Sequence, residues 1–353
     1  MSEKLVLRYC GVPTKTKIIL GLGRAIAFLE KNRGARIVLD KAVYDAFPGV
    51  FPEEHLFLVE GGEAVKSFEM LEEILDFLAC SGTRKDDLLI AAGGGTVSDV
   101  AGLAATLYMR GLDLALIPTT LLAMTDASIG GKFGLNLKGV KNLVGIIKQP
   151  RYIVADTLFL EALPKKDFLS GMGEVLKHSL LSGGKFYKTV RKRKEEILSR
   201  EVDALEKLVQ ESIKIKAQYV TKDEEEKDLR SLLNLGHTVA HAIECDCASS
   251  YSHGEAVVMG IYLESLVGVA LGVTKADLPG ELAELFQSYG FSLSYKPKDE
   301  DSFYKAIAMD KKQRKEFMKL PLLKKPGKPE LIKIPADEFA DSLREAMVSG
   351  LSA

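Results

Sequence analysis

The feature that most restricts the fold is an alternation confined to the first part of the chain. Short runs rich in β-branched and apolar residues, TKIILGLG, ARIVLD, HLFLVEGG, DLLIAAGGG and LDLALIP, are separated by longer stretches, among them AVKSFEMLEEILDFLACSG and TVSDVAGLAATLYMRG, with helical periodicity. A chain that returns over a sheet through a helix arrives pointing the same way, so strands in this pattern pair in parallel. The expected architecture is an α/β, Rossmann-like domain with a mostly parallel, doubly wound sheet. Its ligands belong outside the carboxyl ends of the strands.

After Pro164 the period changes. PKKDFLSGMGEVLKHSLL, EEILSREVDALEKLVQESIKIKAQYVT, HGEAVVMGIYLESLVGVALG and LPGELAELFQSYG all repeat apolar residues every three or four positions. The 353 residues therefore divide into an α/β domain over 1–160 and an all-α domain over 161–353. No internal repeat is visible. KDEEEKD (222–228) and PLLKKPGKPE (321–330) read as surface loops.

A formal net charge of -1 argues against nucleic acid as a partner. No apolar run reaches the length of a membrane span, which argues against a membrane. The first residues, MSEKLVLRYCG, carry charges where a secretory signal needs an apolar core. Cys10, Cys80, Cys245 and Cys247 form no disulfide framework, so the expected location is cytoplasmic. The Cys245-Asp246-Cys247 pair lacks the second pair that a zinc knuckle needs, and reads as small buried thiols.

AAGGGTVSDVAG follows a strand and opens a helix. Consecutive glycines let a phosphate approach the backbone, and the helix start offers it unpaired N–H groups. The stretch is not G-x-G-x-x-G. Asp40 at the end of ARIVLD, where a carboxylate can accept from ribose hydroxyls, and Asp99 in the new helix favour a dinucleotide over a plain tight turn.

Residues 232–255, LLNLGHTVAHAIECDCASSYSHGE, hold three of the five histidines in an apolar setting. Arg230, Asn234, His237 and His241 fall at i, i+4, i+7 and i+11, one face of a helix. Four polar groups in register are costly to bury without a purpose. His253 follows in SHGEAV, where Ser252 can cap a further helix. SGMGEVLKHSLL offers Glu174 and Lys177 one turn apart, with His178 beside them. Two imidazoles and a carboxylate with a fourth position open make the ligand set of a catalytic divalent metal. Spacing leaves open which two histidines bind, and the pattern is not H-E-x-x-H. In MTDASIGGKFGLNLKGVKNLVG (124–145), Asp126, Lys132, Lys141 and Asn142 sit in what reads as a glycine-rich loop. With Arg110, Lys177, Lys216, Arg230, Lys311 and Lys312, they supply enough cations to bind one anionic substrate.

GGGTVSDVAG, RGLDLALIPTTLL, DASIGGK, VKNLVG, SGMGEVLKH, LLNLGHTVAHAIE, HGEAV and MDKK stand in the order and spacing of the 3-dehydroquinate synthase family of sugar phosphate cyclases. The chain resembles that family from about Asp40 to Lys312. The resemblance implies a divalent metal, zinc or cobalt, held by Glu174, His237 and His253. It implies a substrate site of Asp126, Lys132, Asn142, Lys177, Lys216, Arg230, Asn234 and His241, joined by Lys311 or Lys312. It also implies a homodimer in which Arg110 reaches the neighbouring subunit's site. For NAD it implies contacts from Asp40, Glu63, Lys66, Gly94, Gly95, Asp99, Thr119, Thr120, Leu122, Lys141 and Phe159.

The activity so implied converts 3-deoxy-D-arabino-heptulosonate 7-phosphate to 3-dehydroquinate and phosphate. Transient oxidation, phosphate elimination, reduction and an aldol closure succeed one another, and NAD is regenerated each turn. Ala42, Ser98, Ala127, Val140, Ala162, His178, Asp228 and Ala240 depart from the family's usual residues, mostly on the nucleotide side or in packing. The alternatives are a 2-deoxy-scyllo-inosose synthase, a sedoheptulose 7-phosphate cyclase, a metal-dependent polyol or glycerol-phosphate dehydrogenase, and a catalytically silent nucleotide-binding protein.

Overall fold

The computed structural model describes residues 4–8, 15–226, 228–246, 251–309 and 317–350. It divides into two compact units, Met1–Phe168 with Arg200–Glu225, and Leu169–Ser199 with Glu226–Ala353.

The first unit is built on strands β1 (Lys4–Arg8), β2 (Lys15–Leu20), β3 (Arg36–Asp40), β4 (Leu56–Val59), β5 (Leu88–Gly93), β6 (Asp113–Pro118) and β9 (Tyr152–Ala155). They lie in the order β1-β2-β9-β6-β5-β3-β4. All neighbours are parallel except the edge pair β1–β2. Leu89, Ile90, Ala91 and Ala92 of β5 are fully buried, as a central strand covered on both faces requires. Helices α1 (Arg24–Lys31), α2 (Lys41–Ala46), α3 (Phe68–Cys80) and α4 (Gly95–Leu107) fall between strands. The chain leaves β3 toward the β4 edge but leaves β5 toward β6. The carboxyl ends of β3 and β5 therefore flank the switch point where such sheets open a crevice.

The stretch read as a glycine-rich loop is an antiparallel hairpin of β7 (Lys132–Leu137) and β8 (Val140–Ile147). Lys138 (φ 50°) and Gly139 (φ 78°) make its two-residue turn, with both torsions positive as a type I′ hairpin demands. A Cβ at Gly145 would stand 2.4 Å from the Phe133 carbonyl, so the glycines mark close backbone approach, not disorder of pattern.

Helix α5 (Lys165–Ser182) starts before the unit boundary, and α6 (Gly184–Lys192) and α7 (Lys194–Leu198) lie in the second unit. Helix α8 (Val202–Lys222) belongs to the first, so a single cut at residue 160 does not describe the packing. Arg200 (φ 61°) breaks α7 from α8, and its guanidinium donates to the Leu160 carbonyl (2.7 Å), tying α8 to the strand unit.

The second unit continues with α9 (His237–Asp246), α10 (His253–Ala270), α11 (Leu278–Ser288), α12 (Glu300–Met309) and α13 (Ala336–Gly350). It also contains a hairpin that helical periodicity did not reveal, β10 (Phe317–Lys325) with β11 (Lys328–Pro335). PLLKKPGKPE is its turn and flanks, with Gly327 at φ 81°, while Leu320 and Leu322 are buried. Helix α10 is apolar all round and has twelve buried residues, which marks it as the core of this unit. Its start carries the expected cap. Ser252 accepts from the Glu255 N–H, and Glu255 returns a bond to the Ser252 N–H. Among the described residues no helix is long and apolar enough to cross a membrane.

Candidate functional site

In the first unit the crevice at β3 and β5 is lined by the expected glycines. Gly94 and Gly95 open α4 with no side chain capping it, which leaves the first N–H groups available to an anion. A Cβ on Gly94 would meet Thr120 at 3.4 Å, and one on Gly93 would meet Asp40 at 3.2 Å, so the turn, Thr120 and Asp40 share one small space. The Thr119 N–H donates to the Gly93 carbonyl (2.9 Å), and Thr120 Oγ1 accepts from the Ala123 N–H (3.1 Å). Leu122 leads into the π-helical turn Ala123–Ala127. Asp40 caps α2 by accepting from the Ala42 N–H (3.0 Å), and burial raises its pKa.

Beside the crevice, Lys66 is buried and donates to Asp99 (2.6 Å) and to the Asn142 side chain. Burial pushes Asp99 up to about 6 against the pull of the Lys66 ammonium. Asn142, at φ 54°, also donates its N–H to Asn136, whose amide nitrogen reaches Glu63 (2.7 Å). Glu63, Lys66, Asp99 and Asn142 thus form one connected polar group, tying the hairpin to α4. Lys132 and Lys141 lie on β7 and β8. From α8, Lys216 donates to the Asp126 carbonyl (2.8 Å) and pairs with its carboxylate (2.7 Å), locking the π-helical turn.

Two further expected residues lie in this unit. The Phe159 ring, just beyond the carboxyl end of β9, is buried against Phe47 (5.2 Å) and Phe51 (6.1 Å). Arg110 (φ 63°) precedes the amino end of β6, the end opposite the crevice, in a hollow shared with Lys85, Lys148 and Arg151.

In the second unit the histidine stretch is not one helix. A 3-10 turn, Leu229–Asn234, carries Arg230 and Asn234, and Gly236 (φ 80°) separates it from α9. The i+4, i+7 and i+11 spacing therefore spans two elements, because the chain bends where Gly236 passes close to α10. Its Cβ would lie 2.7 Å from the Val257 carbonyl. Arg230 is buried, and Asn234 donates to Glu226 (2.7 Å). Glu226 belongs to the segment read as a solvated charge run, as does Asp228, which Lys319 grips at 2.8 Å.

Two imidazoles converge on one carboxylate oxygen. His253 Nε2 is 3.1 Å and His237 Nε2 is 3.4 Å from Oε1 of the fully buried Glu174. Zinc bonds of about 2.0–2.2 Å in a tetrahedron place donor atoms about 3.3–3.5 Å apart, close to these two separations. The donor atoms of all three lie within 4.8 Å of one another. The remaining ring nitrogens are held from behind. His237 Nδ1 lies 3.2 Å from the Leu235 carbonyl, and His253 Nδ1 lies 3.3 Å from Glu244. Such outer partners fix a histidine's tautomer and aim its other nitrogen. Lys177 Nζ stands 2.5 Å from the other Glu174 oxygen.

The electrostatics fit a cation. Burial opposes ionisation of Glu174, yet the Lys177 ammonium and the two imidazoles hold its carboxyl well below the usual range. Burial and Lys177 push His237 down to about 4, so it is a neutral donor. Burial opposes charge on His253 too, but Glu174 and Glu244 carry it up to about 10. The cluster therefore holds positive charge at the point where a metal would replace the proton. His241 sits one turn along, its ring 5.6 Å from that of His237, and His178 is fully buried on α5. Lys311 and Lys312 lie outside the described residues.

Several contributors escaped the sequence reading. Glu244 and Glu226 looked like ordinary helix and loop acids. Glu264, also fully buried, was legible only as an acid deep in the otherwise apolar run of α10.

Two family models match the chain, 3-dehydroquinate synthase N-terminal over residues 56–170 and 3-dehydroquinate synthase C-terminal over 171–313. A 3-dehydroquinate synthase of Pyrobaculum islandicum is 37% identical over 332 residues, covering 93% of this chain and 95% of that protein. Among solved structures, the 2-epi-5-epi-valiolone synthase of Streptomyces hygroscopicus, bound to NAD+ and Zn2+, has a TM-score of 0.86 at 22% identity, over 98% of this chain and 99% of that one. A 2-deoxy-scyllo-inosose synthase with carbaglucose-6-phosphate, NAD+ and Co2+ has a TM-score of 0.83 at 23% identity, over 97% and 100%.

Proposed function

The chain belongs to the 3-dehydroquinate synthase family, and from that premise we propose that it converts 3-deoxy-D-arabino-heptulosonate 7-phosphate to 3-dehydroquinate and phosphate, using NAD and one divalent metal. The observation that carries the metal-dependent reading is the convergence of His237 and His253 on one oxygen of Glu174, near the edge lengths of a coordination tetrahedron. Zinc or cobalt held there supplies Lewis acidity toward a substrate oxygen, and NAD supplies the transient oxidation.

The chain's own residues do the binding and orienting. The N–H groups at Gly94 and Gly95 receive the cofactor's pyrophosphate, and Asp40 receives a ribose hydroxyl once it releases the Ala42 N–H. Lys66 fixes Asp99 and Asn142, so the cofactor cradle and the hairpin move as one piece. Lys216 holds Asp126 in place while keeping its own charge available to an anion. Lys177 balances Glu174, and Asn234 is oriented by Glu226. Arg230, His241, Lys132, Lys141 and one of Lys311 and Lys312 complete the substrate and cofactor contacts.

Arg110 lies at the strand end away from its own cradle, which supports its acting on a second copy in a homodimer. Cys80 and Cys245 are free thiols, and Cys245 is exposed instead of buried as its sequence suggested; unpaired thiols support a cytoplasmic setting. The other cyclases share the fold at 22–23% identity, well below the 37% of the 3-dehydroquinate synthase relative, so they are second readings.

The test is phosphate release and dehydroquinate formation from the heptulosonate 7-phosphate, with catalytic NAD and Zn2+ or Co2+ and a chelated control. Metal-dependent turnover without net NADH is expected. Phosphate release from glucose 6-phosphate or sedoheptulose 7-phosphate instead would move the substrate. NADH accumulating from a polyol would overturn the cyclase reading.

A further inference from the structure

Glu264 is fully buried in α10, and nothing in the proposed chemistry uses it. Its Oε2 accepts from the Gly236 N–H (2.8 Å) and its Oε1 from the Val239 N–H (3.3 Å). These two amides bracket His237, the first residue of α9. The opening N–H groups of a helix have no partner inside it, and a short polar side chain at the capping position normally serves them. Gly236 occupies that position and has no side chain to offer, so the acceptor comes from a different helix.

The glycines explain how it reaches. A Cβ at Gly236 would lie 2.5 Å from Ile261 and 2.8 Å from its N–H nitrogen, and one at Gly260 would lie 2.0 Å from the Gly236 carbonyl. Backbone meets backbone at this crossing, and one turn further along α10 Glu264 comes under the first turn of α9. Burying a carboxyl group is costly, but position 236, at φ 80° and with no room for a Cβ, excludes a capping serine or aspartate. The arrangement that exists ties α9 to the helix that also carries His253. Both imidazoles are then referred to one frame.

We propose that Glu264 is a positioning residue for the metal site: by clamping the amides on either side of His237, it sets where His237 Nε2 stands relative to Glu174 and His253. The inference rests on the metal reading above. A metal shell tolerates ligand displacements of only about 0.2 Å, so a first turn free to fray would lose the shell before it lost the helix.

The experiment measures Zn2+ affinity of the apo-protein by competition with a chromophoric chelator, alongside thermal unfolding in excess chelator. It compares wild type, Glu264→Gln and Leu282→Ala, the last a core truncation on α11, a helix of the same unit that carries none of the three ligands. Glu264→Gln should weaken Zn2+ binding about 10- to 100-fold, the loss typical of an outer partner of a ligand. Leu282→Ala should lose at least as much thermal stability and bind Zn2+ as wild type does.

Glu264→Gln binding Zn2+ like wild type while unfolding earlier would make Glu264 a plain structural cap and overturn the inference alone. Wild type failing to bind Zn2+ would overturn the metal reading and this inference with it. Should Glu264→Gln not fold, amide exchange in wild-type apo-protein decides. Slow exchange at Gly236 and Val239 is expected, and fast exchange at either shows that the turn is not held before metal arrives.

Discussion

Gly254 offers a sharp perturbation because the structure predicts opposite signs for two ways of thinking about it. It is the second residue of α10, exposed to the ordinary rule that Ala outranks Gly in a helix by about 1 kcal/mol. On that rule Gly254→Ala stabilises. The geometry says otherwise. A Cβ there would lie 2.0 Å from the Ser170 carbonyl oxygen and 2.7 Å from its carbon, while a Cβ on Gly173 would lie 2.4 Å from the Gly254 carbonyl.

These are backbone atoms and cannot rotate aside. Ordinary contact begins near 3.4 Å, so α5 and α10 must part by about 1.4 Å at this crossing. Glu174 and His253 are the immediate chain neighbours of the two glycines, and their 3.1 Å approach would widen to about 4.5 Å. That exceeds the tetrahedral edge of about 3.4 Å by far more than a metal shell absorbs.

Overpacking of this kind costs about 1–3 kcal/mol, which outweighs the helix propensity gained. Gly254→Ala should therefore lower Tm by several degrees and cut Zn2+ affinity about 100-fold or more. Circular dichroism melting and chelator competition measure the two. A variant that melts at or above the wild-type temperature and retains Zn2+ would refute the claim that the glycine crossing sets the ligand distance.

Removing metal should abolish turnover, with Zn2+ or Co2+ restoring it. Because metal binds the folded state, Zn2+ at 100 times its Kd should also add about 2.7 kcal/mol of stability, read as a rise in Tm. Asp99 sets a pH dependence of unfolding. Its folded pKa of about 6 lies above the unfolded value of about 3.9, so the folded state holds the proton more tightly. That contribution, at most about 3 kcal/mol, is present below about pH 3.9 and is lost as pH rises through about 6. Lys66→Met removes the ammonium that favours the charged form and should extend the loss to higher pH, whereas Asp99→Asn should abolish it in urea titrations across that range. Lys216→Met should lower kcat/KM about 10- to 100-fold by freeing Asp126, and wild-type kinetics in that variant would refute a role for the clamp.

Period and punctuation made much of the fold readable. The strand-helix alternation carried the parallel sheet, GGG after a buried strand carried the cradle at its end, and Ser252 with Glu255 announced the start of α10. Where the reading stopped short, the cause is specific. Glycines in 130–145 read as loop because their function, letting β7 and β8 backbones touch, is visible only once the strands are paired. The polar spacing from Arg230 to His241 suggested one helix, but Gly236 breaks it under the demands of a neighbour more than twenty residues away in sequence.

The sequence by itself determined the chemical inventory and the order of its parts. Residue type and local spacing are properties of the chain, and the donors Glu174, His237 and His253 were visible in that form alongside His178 and His241. Only the tertiary structure decided which of them meet. Metal geometry is a matter of a few tenths of an ångström between residues as many as 79 apart in the chain, set by backbone crossings at Gly173 with Gly254 and Gly236 with Gly260. A glycine records that close approach is allowed, and only packing says what approaches it.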